Sequence, residues 1–232
     1  MFLAGNRRPR HSARFADSCR LARPRGFSLV ELVVVLALAA LAVGAGARAL
    51  AERNPGPALV ASQQLVAAVL TAARVEALAS GVTTRVLVPA DHPEGGEPEF
   101  RLRQLQVVSR QPDGTWRAVT RRMVLPRPAL VVPPSPPPLV SGALWGSAPV
   151  SSFAGEATLQ VVDAAGARQL RACYVEFSPR GTSLVATVVL APGENAPPSR
   201  DERLRFREPR DVRGVKLSQY GAQTLLDHAD AF

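Results

Sequence analysis

The chain has 232 residues, 47% of them hydrophobic and 20% charged, enough for one core of ordinary size with appendages but not for two large independent domains. Two cysteines, Cys19 and Cys173, supply neither a disulfide framework nor a four-ligand zinc site, so the core has to come from packing. The formal net charge of +9 suggests nucleic acid until its distribution is read.

Residues 1–26 hold seven arginines (Arg7, Arg8, Arg10, Arg14, Arg20, Arg23, Arg25) against one acid, Asp17, a net of +6 that leaves only +3 for the rest. The protein is mildly basic with a basic N-terminal tag. Directly after the tag, Phe27 to Ala47 is a run of 21 residues with a single charge, Glu31. About 20 residues rising about 1.5 Å each span the roughly 30 Å apolar layer of a bilayer, so the run is long enough to cross as a helix. Arginines before it and none inside it place the tag in the cytoplasm and the remainder outside. A buried core helix is a bland alternative. A secretory signal peptide is another, because the small residues Ala45-Gly46-Ala47 suit a cleavage site and would release a soluble binding domain starting at Arg48. Glu31 is what neither alternative needs: a lone carboxylate in lipid costs at least about 2.5 kcal/mol and calls for a partner.

Gly26-Phe27-Ser28-Leu29-Val30-Glu31 resembles the processing signal of type IV prepilins and type II secretion pseudopilins. The resemblance implies cleavage after Gly26 by a prepilin peptidase, methylation of Phe27 as the new first residue, and Glu31 as the assembly residue that pairs with the N-terminal ammonium of a neighbouring subunit. Such pairing makes physical sense, since each charge in low dielectric offsets the desolvation cost of the other.

Arg48 to Asn54 leads into Pro55-Gly56-Pro57, where proline disfavours helix in the residue before it, so a break is expected over 54–57. Leu59, Val66, Leu70, Ala73 and Ala77 then recur at helical spacing and Gly81 closes the run, predicting an amphipathic helix over 58–80 with Gln63, Gln64, Arg74 and Glu76 on its outer face. The stretch Val66 to Gly81, with Ala73-Arg74, Glu76-Ala77 and a closing Gly81, is similar to the helix of H-type minor pseudopilins (GspH) and T-type fimbrial minor pilins (FimT); a generic alanine-rich helix on a sheet is the plain alternative.

From Thr83 the period changes to two. Strands are expected at 83–88, 100–108, 116–125, 158–163, 168–177, 183–190, 203–207 and 215–220, with turns at Gln111-Pro112-Asp113-Gly114, Ala164-Ala165-Gly166 and Ser178-Pro179-Arg180-Gly181. The predicted class is α+β: a transmembrane helix and a second amphipathic helix packed on an antiparallel β-sheet domain over 82–232, most simply a meander, as the pilin-like resemblance also implies. Pro126 to Pro138 reads as a stiff extended connection.

Chemistry is sparse. His11, His92 and His228 lie in the tag, in a loop and near the C-terminus, none placed as a scaffold-held base, and no nucleophile elbow, phosphate loop or Cys-x-x-Cys is present, so no enzyme, cofactor or metal is expected. Cys173 reads as a core residue, and Asp227-His228-Ala229-Asp230 as a frayed polar tail rather than a cation site. In Arg203-Leu204-Arg205-Phe206-Arg207, alternation puts three arginines on one strand face. A solvated face is the default; a phosphate-contacting stripe is the alternative, since some T-type minor pilins capture DNA. The resemblance implies as partners the prepilin peptidase, other pilin or pseudopilin subunits and the bacterial inner membrane, with nucleic acid as the minority partner.

Overall fold

The computed structural model describes residues 29–53, 55–90, 100–137, 139, 145–195, 204–207 and 209–232. The described residues fall into two units, divided between Ala47 and Arg48. Helix α1 (Leu29–Arg53) begins in the first and ends in the second. Helix α2 (Gly56–Ser80) belongs to the second. It starts two residues earlier than the periodicity predicts, because Pro57 lies in its first turn, where no backbone N–H is needed and the fixed φ of proline suits a helix. At the other end Gly81 takes the left-handed conformation, φ 67°, and its N–H bonds Ala77 O at 3.0 Å, the C-terminal stop expected of a glycine.

Eleven strands follow among the described residues: β1 (Thr84–Pro89), β2 (Gln104–Arg110), β3 (Trp116–Ala118), β4 (Met123–Val124), β5 (Ala129–Val131), β6 (Gly155–Asp163), β7 (Gly166–Phe177), β8 (Ala186–Asn195), β9 (Leu204–Phe206), β10 (Arg213–Leu217) and β11 (Gln223–Leu226). The class is α+β, but the arrangement is not a meander. The first sheet runs β1-β7-β6-β3-β2 and closes on itself because β2 also pairs with β1, while β4 extends β2. One pair in this ring, β3 with β6, is parallel. The second sheet runs β11-β10-β8-β5, with β9 on β8.

Closure gives the ring an inside and an outside. Strand alternation and the register (Leu87 opposite Gln106 and Tyr174, Leu159 opposite Leu170, Trp116 opposite Val161) turn Leu87, Val108, Trp116, Leu159, Val161, Leu170 and Ala172 inward as a small separate core. Arg85 is on the same side, its guanidinium carbon 4.3 Å from the Trp116 ring centre and 3.9 Å from that of Tyr174, with Nε bonded to Glu176 Oε2 at 2.6 Å. Stacking on two rings and pairing with a carboxylate allow a guanidinium to sit against an apolar interior. The outward-facing Val86, Val88, Val107, Val175 and Phe177 join the main core, shared by α2 and by Val188, Leu190, Val215 and Leu217 of the second sheet.

The predicted helix face holds: Leu59, Val66, Leu70, Ala73 and Ala77 are all buried. Gln63 is a correction. It is 2% exposed, not outward, and its Nε2 donates to Gly214 O at 2.8 Å and Leu226 O at 3.0 Å, fastening α2 across β10 and β11. The expected 116–125 strand splits in two because Thr120 Oγ1 takes the Val107 N–H at 3.1 Å in place of a backbone carbonyl, after which the chain rejoins β2 as β4. The 126–138 connection contains β5, fully buried and paired with β8. At the C-terminus the tail is docked rather than frayed: Phe232 packs against the main core.

Candidate functional site

The residues that carry processing and assembly in the sequence reading lie at the start of α1. Gly26 and Phe27 fall outside the described residues. Glu31 is on α1, within its first turn, and its side chain is outside what is described. What is described around it is apolar and open. Leu29, Val30, Leu32, Val33, Val34, Val35, Leu36, Leu38, Leu41 and Val43 are all exposed, from 50% to 78%. Residues 32 to 36 alone go once around a helix of 3.6 residues per turn, so this segment has no polar side at all. A helix apolar on every side calls for burial, in lipid or within a protein interior.

By length and composition α2 qualifies as a span, while the described apolar part of α1 is the shorter Leu32–Val43. Packing assigns α2 otherwise: eight of its residues are buried in the second unit, and Arg74 and Glu76 lie within it. The Ala73-Arg74…Ala77 pattern has a local purpose there. Ala73 and Ala77 are 0% exposed, small enough to bring the helix onto the sheets. Arg74 Nη1 donates to Gly221 O at 3.3 Å, and a Cβ added at Gly221, whose φ is +74°, would stand 2.7 Å from Arg74 Nε. Leu78 covers Gly181 in the same way, its Cδ2 lying 3.0 Å from where a Cβ would be. The two turns are joined by Ser183 N–H to Gln219 O at 3.0 Å. The C-terminal half of α2 therefore clamps the Ser178–Gly181 and Ser218–Gly221 turns, a role the sequence signals through the two glycines though not through their pairing.

Of the arginine stripe, Arg203 lies outside the described residues. Leu204 and Phe206 are buried and Arg205 and Arg207 exposed, the alternation expected of β9. Arg207 is ion-paired with Glu194 of β8, which takes one charge away from a phosphate-binding role. Asp227 is likewise engaged, Oδ1 accepting from Arg213 Nη1 at 2.6 Å, and among the described residues no three of His, Cys, Asp and Glu group as metal ligands. Cys173 is buried in the main core.

Residues 21–47 match the family model of the prokaryotic N-terminal methylation motif. No curated protein matches the sequence. Among solved structures the chain is similar to the minor pseudopilin EpsH of the type 2 secretion system of Vibrio cholerae, with 14% identity over 73% of this chain and 96% of that one and a TM-score of 0.40. A second EpsH structure gives 15% identity, 75% and 97% coverage and a TM-score of 0.42. The type IV minor pilin FimU of Pseudomonas aeruginosa gives 15%, 76% and 91%, and 0.39. The chain thus carries an N-terminal methylation motif of the prepilin type, with an apolar helix consistent with single-pass membrane anchoring, ahead of an α+β unit.

Proposed function

We propose that this pilin-like chain is a non-catalytic minor subunit of a pseudopilus or type IV pilus-like filament. A prepilin peptidase cuts after Gly26 and Phe27 is methylated as the first residue. Before assembly α1 holds the protein in the inner membrane, the tag cytoplasmic and the second unit periplasmic. In the filament α1 packs among the helices of other subunits, and Glu31 is neutralised by the terminal ammonium of a neighbour's Phe27. The second unit is displayed for contact with other minor subunits or cargo.

The observation that carries this reading is the match of residues 21–47 to the methylation motif, placed where α1 is apolar on every side. A carboxylate is retained in that surface at a cost of at least about 2.5 kcal/mol in lipid, which is accounted for once a cation of another copy meets it. Mass spectrometry of the N-terminus of membrane-extracted protein tests it. A methylated Phe27 start is expected; a chain starting at Arg48 in the soluble fraction would overturn it in favour of signal-peptide release.

A further inference from the structure

The inner side of the β-ring holds a cation that its neighbours leave short of acceptors. Arg168, on β7, donates from Nη2 to Gln106 Oε1 at 2.8 Å. Its Nε stands 3.5 Å from Asp163 Oδ2, beyond good hydrogen-bond length. Among the described residues neither Nε nor Nη1 of Arg168 has a hydrogen-bond acceptor, and both atoms are buried.

The nearby acceptors are already in use. Asp163 Oδ1 accepts from Ala165 N–H at 2.9 Å inside the β6–β7 turn, and Oδ2 accepts from Arg122 Nη2 at 2.9 Å. Gln106 is held in place from its other end, Nε2 donating to Thr120 O at 3.3 Å. Among the described residues two guanidinium groups therefore share one carboxylate, leaving a single positive charge in excess. Burial first, and the charge of Arg122 second, push the Arg168 pKa below the ordinary arginine value against the attraction of Asp163, in keeping with a shortage of negative charge around it.

We propose that this rim of the ring, formed by Arg168, Arg122 and Gln106, binds one small monovalent anion of the size of chloride or formate. The excess charge is one, which matches a monovalent ion. The ring interior beside it is apolar, lined by Leu159, Val161, Leu170 and Trp116. The Arg122 side chain is 42% exposed and provides the way in from solvent. The ion accepts from Nη1 of Arg168 and lies near Arg122. In that position it ties together β2, the segment carrying Thr120 and Arg122, and the β6–β7 hairpin.

The test uses the full chain purified in detergent and chloride as the probe. The excess line width of the ³⁵Cl resonance is measured against protein concentration, with formate as competitor. A saturable excess that formate removes is expected. Arg122→Gln, at a half-exposed position outside the ring core, weakens chloride binding about tenfold through loss of one charge-assisted contact. Asp163→Asn, which removes the competing negative charge, tightens it, a change in the opposite direction that mere loosening of the fold would not produce. Arg168→Met abolishes the excess, and Arg122→Gln decides the matter if that variant does not fold. No formate-sensitive broadening in the wild type, or equal broadening in wild type and both the Arg122 and Asp163 variants, overturns the proposal.

Discussion

Helices α1 and α2 are each 25 residues long and rich in alanine, leucine and valine, yet their side chains meet opposite surroundings. In α2 most polar residues are spaced so that one stripe stays largely apolar, and that stripe, with Ser62 and Gln63 in it, is buried. In α1 the run from Leu32 to Val43 has no polar residue, and every one of its side chains is exposed. Length and composition do not separate a core helix from a membrane or assembly helix; the distribution of polar residues around the axis does, together with whether a sheet is available to receive the apolar face.

Truncating one leucine in each helix gives the largest contrast. Leu70→Ala, at a site 1% exposed, lowers the stability of the second unit by about 2–5 kcal/mol through lost burial and a residual cavity. Leu38→Ala, at a site 61% exposed, leaves the same unfolding transition in place to within about 0.5 kcal/mol. Denaturant melts of the full chain in detergent measure both. Equal losses would mean that α1 is also part of the folded core.

Within α2 the distinction between neighbours is finer. Gln63→Leu strips the Gly214 and Leu226 carbonyls of their side-chain donor and costs about 1–3 kcal/mol, whereas Gln64→Leu, on the exposed side, stays within about 0.5 kcal/mol. If the two cost the same in those melts, Gln63 is not the tie between helix and sheet.

Acid has a smaller effect, on the second unit. The hydrogen bond from Arg122 is the main cause that holds the Asp163 carboxyl below its ordinary 3.8, with the Ala165 N–H and the charges of Arg122 and Arg168 adding to it and burial opposing. A folded-state pKa below the unfolded one means that the stabilisation is present above pH 3.8 and is lost as pH falls through the lower folded value. The thermal midpoint of the second unit therefore drops below pH 4, and Asp163→Asn flattens that part of the profile.

Local signals made much of this fold legible. The apolar run, the proline break, the stripe Leu59 to Ala77, the Gly81 stop and the alternation in β9 each depend on residues within one or two turns or one strand of one another. The failures have a common cause. Gln63 reads as a surface residue because glutamine is usually solvated, and only the arrival of Gly214 O and Leu226 O, 151 and 163 residues away, makes its burial favourable. β5 is three residues between prolines, too short for periodicity, and exists because β8 supplies its partners. The orphaned donors of Arg168 carry no sequence signature, since they depend on Gln106 and Asp163 meeting across a closed ring.

By itself the amino-acid order determined which segment is apolar all round, where the helices stop, which face of α2 is buried and where an isolated carboxylate sits in the apolar run, because these follow from backbone preference and from spacing along a few turns. Ring closure through β1 and β2, the parallel β3–β6 pair, the stacking of Arg85 between Trp116 and Tyr174, and the charge imbalance at Arg168 were decided only in three dimensions. Each requires strands far apart in the chain to pair in one register, and register is settled by the simultaneous burial of many side chains rather than by any short stretch of them.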